Sequence, residues 1–186
     1  IKNGKNVLYQ TAPVLLESAS YAASCVFISR VVIILSPMFL TELSSLLILS
    51  KIKAFDCNNV KLAQNHWKIF NSKLRNNKLY LGSNWCKYAF IEKIENKIFY
   101  YISIPKKDFV PNDFTEKIIL KSKYLRVEHI GNMNKLKDTI NYVYKEIIPK
   151  NNILVENRQF VYFEKYDYKF HWNREDSVIE IYIPIK

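Results

Sequence analysis

The chain has 186 residues, 49% of them hydrophobic, which allows one full domain with a real core and excludes a disordered polymer. The net charge is +11, and residues 61–186 carry 23 of the 28 basic and 14 of the 17 acidic side chains. Such an excess suits a polyanionic neighbour, but the heavy use of Lys, Asn and Ile makes a solvated, lysine-rich surface the simpler reading.

Only three glycines occur, and no Gly-rich phosphate loop is present, so nucleotide binding has no anchor in the sequence. Cys25, Cys57 and Cys86 are scattered and odd in number, as are His66, His129 and His171. Neither set has disulfide or metal-ligand spacing, so no metal, no cofactor and a reducing cytoplasm are expected. The first residue, Ile1, is read as an internal position of a longer protein.

Residues 12–50 carry only Glu17, Arg30 and Glu42 as charges. Their most apolar run, residues 31–41, is too short to span a bilayer and contains Pro37. A buried or partner-covered helical pair is expected there, with no membrane contact. Residues 46–55 read as a strand. Residues 65–74 carry Trp67, Phe70 and Leu74 at helical spacing. Residues 85–93 and 97–104 read as strands joined by the short hairpin Ile94-Glu95-Asn96, with Pro105 ending the second. Residues 109–112 form a Pro-containing loop, and residues 118–130 a long strand broken by Gly131-Asn132. Asn134 is placed as the N-cap of a helix with Leu136, Ile140, Val143 and Ile147 on one face, stopped by Pro149. Residues 159–168 and 178–185 close the chain as strands.

The order is strand–helix–strand–strand, twice. Tyr101-Ile102-Ser103-Ile104-Pro105 and Glu180-Ile181-Tyr182-Ile183-Pro184 share one pattern, and each closes its half. The expected fold is therefore α+β: a duplicated β-α-β-β module forming an antiparallel sheet, with helices on one face and a central ligand cleft. Helices on the Ile side would put Tyr101, Ser103, Glu180 and Tyr182 on the opposite face, which becomes the cleft if the two modules bend together.

The closing half has a more specific likeness. Tyr124-Leu125-Arg126-Val127-Glu128-His129-Ile130-Gly131 precedes a helix with Asn141-Tyr142-Val143-Tyr144, then Phe163-Glu164-Lys165-Tyr166-Asp167, then Glu180-Ile181-Tyr182-Ile183-Pro184-Ile185-Lys186. This series resembles the GyrI-like small-molecule effector-binding domains of AraC- and MerR-associated multidrug-sensing bacterial regulators. Trp67 and Phe70 match the Trp and Phe of that family's first helix. The resemblance covers residues 46–186, so residues 44–186 are taken as the effector-binding domain and 1–43 as a helical apolar segment. Ser20-Tyr21, Phe27, Arg30 and Ser36-Pro37 are similar to landmarks of an AraC-type helix-turn-helix. The cations that a DNA-reading helix needs are absent there, so DNA is expected only indirectly, through an attached or partner segment.

The resemblance implies a central cleft lined by aromatics, with a buried carboxylate that meets cationic or amphipathic compounds. Glu180, just before Ile-Tyr-Ile-Pro, is the leading candidate for that counter-ion. Tyr101, Tyr182 and Trp85 are candidate walls, Ser103 shares their face, and Trp67 is placed at a rim or in the core. Tyr162, Glu164 and Tyr166 share one strand face, which either lines the cleft or forms an outer edge. His129 reads as a satisfied structural histidine, and His171-Trp172 as a surface loop. The function expected is ligand sensing, as or with a transcription regulator, and a homodimer is left open. The alternative is hydrolysis of strained-ring genotoxic compounds with Glu180 as the catalytic group. A haem carrier would need an axial ligand that no local motif supplies.

Overall fold

The computed structural model describes residues 31–39, 46–52, 60–95, 97–106, 108, 111–112, 114–117, 122–156 and 160–186. Strands β1 (Val31–Phe39) and β2 (Leu46–Ile52) precede helix α1 (Val60–Asn76). Strands β3 (Cys86–Ile94), β4 (Lys97–Pro105), β5 (Phe114–Lys117) and β6 (Lys123–Ile130) follow. Helix α2 (Leu136–Tyr142) runs on through a wider π-helical turn, Val143–Ile147, into a last α turn at Ile148–Lys150. Strands β7 (Tyr162–Asp167) and β8 (Val178–Ile185) complete the chain.

The strands form one antiparallel sheet in the order β1-β6-β8-β7-β3-β4-β2-β5. The internal repeat is visible in that order. On one side of the β3–β7 pair lie β4 and β2; on the other lie β8 and β6. A pseudo-two-fold axis therefore passes between β3 and β7, where Ala89 pairs with Glu164. Tyr101-Ile102-Ser103 on β4 and Glu180-Ile181-Tyr182 on β8 occupy equivalent places.

Each element follows from its sequence. Helix α1 is free of Gly and Pro and buries His66, Trp67, Phe70 and Leu74 along one stripe. Lys73 and Arg75 in its last turn complement the carbonyl end of the helix dipole. Lys78, in the left-handed region at φ +55°, closes it, with the Leu79 amide donating to the Leu74 carbonyl at 2.9 Å. In α2, Pro149 offers no amide, and its ring crowds the carbonyl four residues back. The widened turn at Val143–Ile147 relieves that crowding.

Three details differ from the sequence reading. Residues 31–39 are strand, not helix: Val31, Val32, Ile33 and Ile34 are β-branched and pair with β6. Pro37 is tolerated because β1 is an edge strand whose register shifts between Ile34 and Met38. Residues 12–30 and 40–45 of the expected helical pair lie outside the described residues. Asn134 is not the cap of α2: it lies inside a 3-10 turn, Met133–Lys135, that leads into the helix and is itself capped by Asn132, whose side-chain oxygen accepts the Asn134 amide at 3.1 Å. The long strand expected over 118–130 is confined to β6, a separate short strand, β5, lies before it, and residues 118–121 lie outside the described residues.

Period-two alternation sorts the sheet into two faces. The helix-covered face carries Ala89, Ile91, Tyr100, Ile102, Ile104, Leu125, Val127, Ile179, Ile181 and Ile183, which join the inner stripe of α1 and α2 in one core. The other face carries an aromatic layer of Tyr88, Phe90, Phe99, Tyr101, Tyr124, Phe160, Phe163 and Tyr182. Phe163 stacks on Tyr182 with centroids 4.7 Å apart.

Candidate functional site

The two helices cover the two halves of the sheet and leave a gap over the central β3–β7 pair. A cavity of about 610 Å³ lies there, a size suited to a drug-like molecule. Its walls come from α1 (Ala63), β3 (Ile91), β4 (Ile98, Tyr100), the α2 run (Leu136, Ile140, Tyr144) and β7 (Val161, Tyr162). Met133 and Trp172 close one side. The Tyr144 hydroxyl donates to the Val161 carbonyl at 3.2 Å, which ties the π-helical turn to the start of β7.

Glu164 lines this cavity from the dyad and is only 3% exposed. The Tyr166 hydroxyl donates to its Oε2 at 2.5 Å, and the Tyr100 hydroxyl donates to the same oxygen at 3.3 Å. The Trp67 indole N–H donates in turn to the Tyr100 oxygen at 3.2 Å. The tryptophan edge also packs on Tyr166, with centroids 5.1 Å apart. A chain of donors from α1, β4 and β7 thus converges on one carboxylate.

Burial pushes the Glu164 carboxyl up to about 7, against the downward pull of the hydrogen bonds from Tyr166 and Tyr100. Burial, together with the nearby carboxylate, holds Tyr100 and Tyr166 well above the usual phenol range, so both stay donors. An unliganded carboxylate in this position is costly to ionise. A cation or strong donor seated beside it would restore the charged form, which is how such a site converts binding into a change of protonation. Tyr100, Tyr144, Tyr162 and Trp172 add flat, polarisable walls.

Glu180 lies elsewhere. It is on the aromatic face of the sheet, away from the helices, as alternation with Ile179 and Ile181 requires. Its Oε1 accepts from Arg126 at 2.8 Å, and its Oε2 accepts from Lys165 at 2.9 Å and from Tyr182 at 2.6 Å. Arg126 also bonds Glu128 at 2.5 Å. Burial alone would raise the Glu180 carboxyl, but the Tyr182 hydrogen bond, Lys165 and Arg126 outweigh it and hold the group below its usual value.

Tyr101, Tyr182 and Ser103 share the face of Glu180, as alternation requires, but they are buried there and none lines the cavity. Period two assigns residues to faces correctly; it does not say which face is left open. Trp85 is half-buried just before β3, with the Lys87 ammonium 4.5 Å above its ring. Trp67 lies in the core and touches the site through Tyr100. Of the eight residues singled out from sequence, Tyr162 and Glu164 are the two that the cavity brings together.

Tyr100 was missed, although a signal existed: it alternates with Ile102 and Ile104, so a polar-tipped ring interrupts an apolar stripe. Trp172 turns inward, while its neighbour His171 is exposed. His129 is satisfied: Nδ1 is 2.8 Å from the Thr139 hydroxyl, and Nε2 is 3.1 Å from the Asn132 carbonyl. The carbonyl requires a proton on Nε2, so Nδ1 accepts from Thr139.

A family model described as integron-associated effector binding protein matches residues 52–185. The chain belongs to that family. The GyrI-like likeness read from the sequence therefore holds for this effector-binding domain. No curated protein sequence is significantly similar to it. Among solved structures it is similar to SAV2435 bound to tetraphenylphosphonium, at 18% identity and TM-score 0.54, covering 84% of this chain and 93% of that one. It is also similar to the EcmrR C-terminal domain, at 15% identity and TM-score 0.56, covering 77% and 92%. In the EcmrR–DNA complex the match has 14% identity and TM-score 0.57, and covers 90% of this chain but 62% of the EcmrR chain. At these identities the likeness establishes the fold. Among the described residues no helix is long and apolar enough to cross a membrane.

Proposed function

We propose that this effector-binding domain senses small cationic or amphipathic compounds in the cavity over β3 and β7, with Glu164 as the counter-ion. The observation that carries this reading is a fully buried carboxylate facing an aromatic-walled cavity of about 610 Å³. A structural carboxylate would be expected to pair with a cation, as Glu180 does with Arg126 and Lys165. Among the described residues Glu164 receives neutral donors, Tyr166 and Tyr100, and no cation, which leaves its charge to be matched by a ligand.

The tetraphenylphosphonium complex of a similar fold supports the same ligand class. The similarity to EcmrR, which is known bound to DNA, supports a role as or with a cytoplasmic transcription regulator, with DNA reached through an attached or partner segment. Such a switch requires that the ligand bind one arrangement of the regulator more tightly than the other. Residues 44–186 would form the sensing unit. The hydrolase reading rested on Glu180, which faces away from the cavity and has both oxygens engaged.

The test is a titration with tetraphenylphosphonium, read by intrinsic tryptophan fluorescence, since Trp172 lines the cavity and Trp67 abuts its hydrogen-bond chain. Saturable binding that Glu164→Gln weakens at least ~30-fold is expected, the scale of losing one member of a buried charge pair. Equal binding by the variant would remove Glu164 from the site. No binding of tetraphenylphosphonium or of a neutral amphiphile would overturn the sensing role.

A further inference from the structure

Among the described residues lining the cavity, Glu164, Lys93 and Lys137 are charged. The carboxyl of Glu164 is buried at the deep end, where a bound cation would restore its charge, while both lysines are exposed and place ammonium groups at the rim. Lys93 follows Ala89 and Ile91 along the cavity face of β3. Ala89 pairs with Glu164, so the rise of a strand puts Lys93 about 13 Å further along the sheet. Lys137 lies in the first turn of α2, on the same stripe as Asn141 and Tyr144, which also line the cavity.

A lipophilic cation with no other polar group is attracted by Glu164 but meets like charge at the rim. A molecule with a second, anionic end is attracted at both. We propose that the effector of this domain is amphoteric: a cationic or donor group seats on Glu164, and an anionic or strongly accepting group, on the order of 10 Å away, meets Lys93 and Lys137. The proposal rests on the cavity reading above and narrows its ligand class from cations in general to cations with an outward anion. The polar rim residues Asn134 and Asn141 suit the same outward end, because they offer amide donors beside Lys137.

The test compares two probes, an alkyltriphenylphosphonium and the same cation with a carboxylate at the end of its alkyl chain. Both are titrated against the parent protein, the double variant Lys93→Gln/Lys137→Gln, and Glu164→Gln. The parent is expected to bind the carboxylate-bearing probe about two- to fivefold more tightly than the plain cation, the size of an exposed ion pair. The double variant is expected to reverse that order and to bind the plain cation more tightly than the parent does. The preference should also shrink with added salt, because the lysines are exposed. A plain cation favoured by the parent, or a preference that survives the double variant, would overturn the proposal while leaving the cavity reading intact. Indifference of both probes to Glu164→Gln, or no binding of either, would instead overturn the cavity reading, and this proposal with it.

Discussion

Replacing Glu164 with Gln is expected to stabilise the protein at high pH, because the buried side chain can then no longer ionise. In the folded chain this carboxyl is raised from 4.5 to about 7 by burial. Between those two values the folded state holds more protons on the group than the unfolded state does, so stability falls as pH rises. The contribution is fully present below the unfolded value and is lost by the time pH passes through 7. A shift of that size costs about 3 kcal/mol above neutral pH, at 1.36 kcal/mol per pH unit. A glutamine carbonyl can still accept from both Tyr166 and Tyr100, and it cannot ionise. Relative to the parent, the variant should therefore gain about 2.5 kcal/mol more at pH 8 than at pH 5. For a chain of this length that is a difference in Tm of roughly 5–10 °C. Urea or thermal unfolding at the two pH values, without ligand, reads it directly. A change in stability that is the same at both pH values would refute the argument, because it would mean that Glu164 ionises in the fold as easily as in the unfolded chain. The expected gain is the reverse of what a purely structural carboxylate would give, and it ties instability to function.

The remaining predictions concern the same network and its opposite face. Affinity for tetraphenylphosphonium should be level above about pH 7 and weaken by about tenfold per unit below it, because the cation must displace a proton from Glu164; titrations from pH 5 to 8 that give one constant affinity would sink this coupling. Tyr100→Phe removes a donor to Glu164 and strands the buried Trp67 N–H, so a loss of about 1–3 kcal/mol in urea unfolding is expected. The same change should move the midpoint of the pH profile upward, which a merely structural tyrosine would not do. Glu180→Gln weakens a half-buried ion cluster by about 1–2 kcal/mol, but should leave cation affinity within about twofold, since Glu180 faces away from the cavity; a large loss of binding would relocate the site. Phe163→Ala empties the centre of the aromatic layer, and should cost about 3–5 kcal/mol by calorimetry or denaturant.

Much of this protein was legible from local pattern. The alternation of Ile179, Ile181 and Ile183 with Glu180 and Tyr182 set the two faces of β8, because strand geometry leaves no other choice. The matching Ile-polar-Ile-Pro endings of β4 and β8 disclosed the repeat, and the spacing of Trp67, Phe70 and Leu74 disclosed α1. Those signals depend on neighbours within a few residues. The strand nature of residues 31–39 was hidden by Pro37, whose cost vanishes only on an edge strand, and edge position is a property of the assembled sheet.

The difference between Glu164 and Glu180 was decided at the tertiary level. Glu164 and Glu180 sit on adjacent strands in similar aromatic company, and composition cannot separate them. What separates them is which groups arrive from afar. Arg126 on β6 and Lys165 on β7 reach Glu180, while Glu164 receives Tyr100 from β4, backed by Trp67 from α1. The cavity over Glu164 is bounded by residues of both helices and of β3, β4 and β7, so it exists only once the two halves are packed together. Sequence determines the faces, but where a face stays open depends on how the two halves of one sheet and their helices meet.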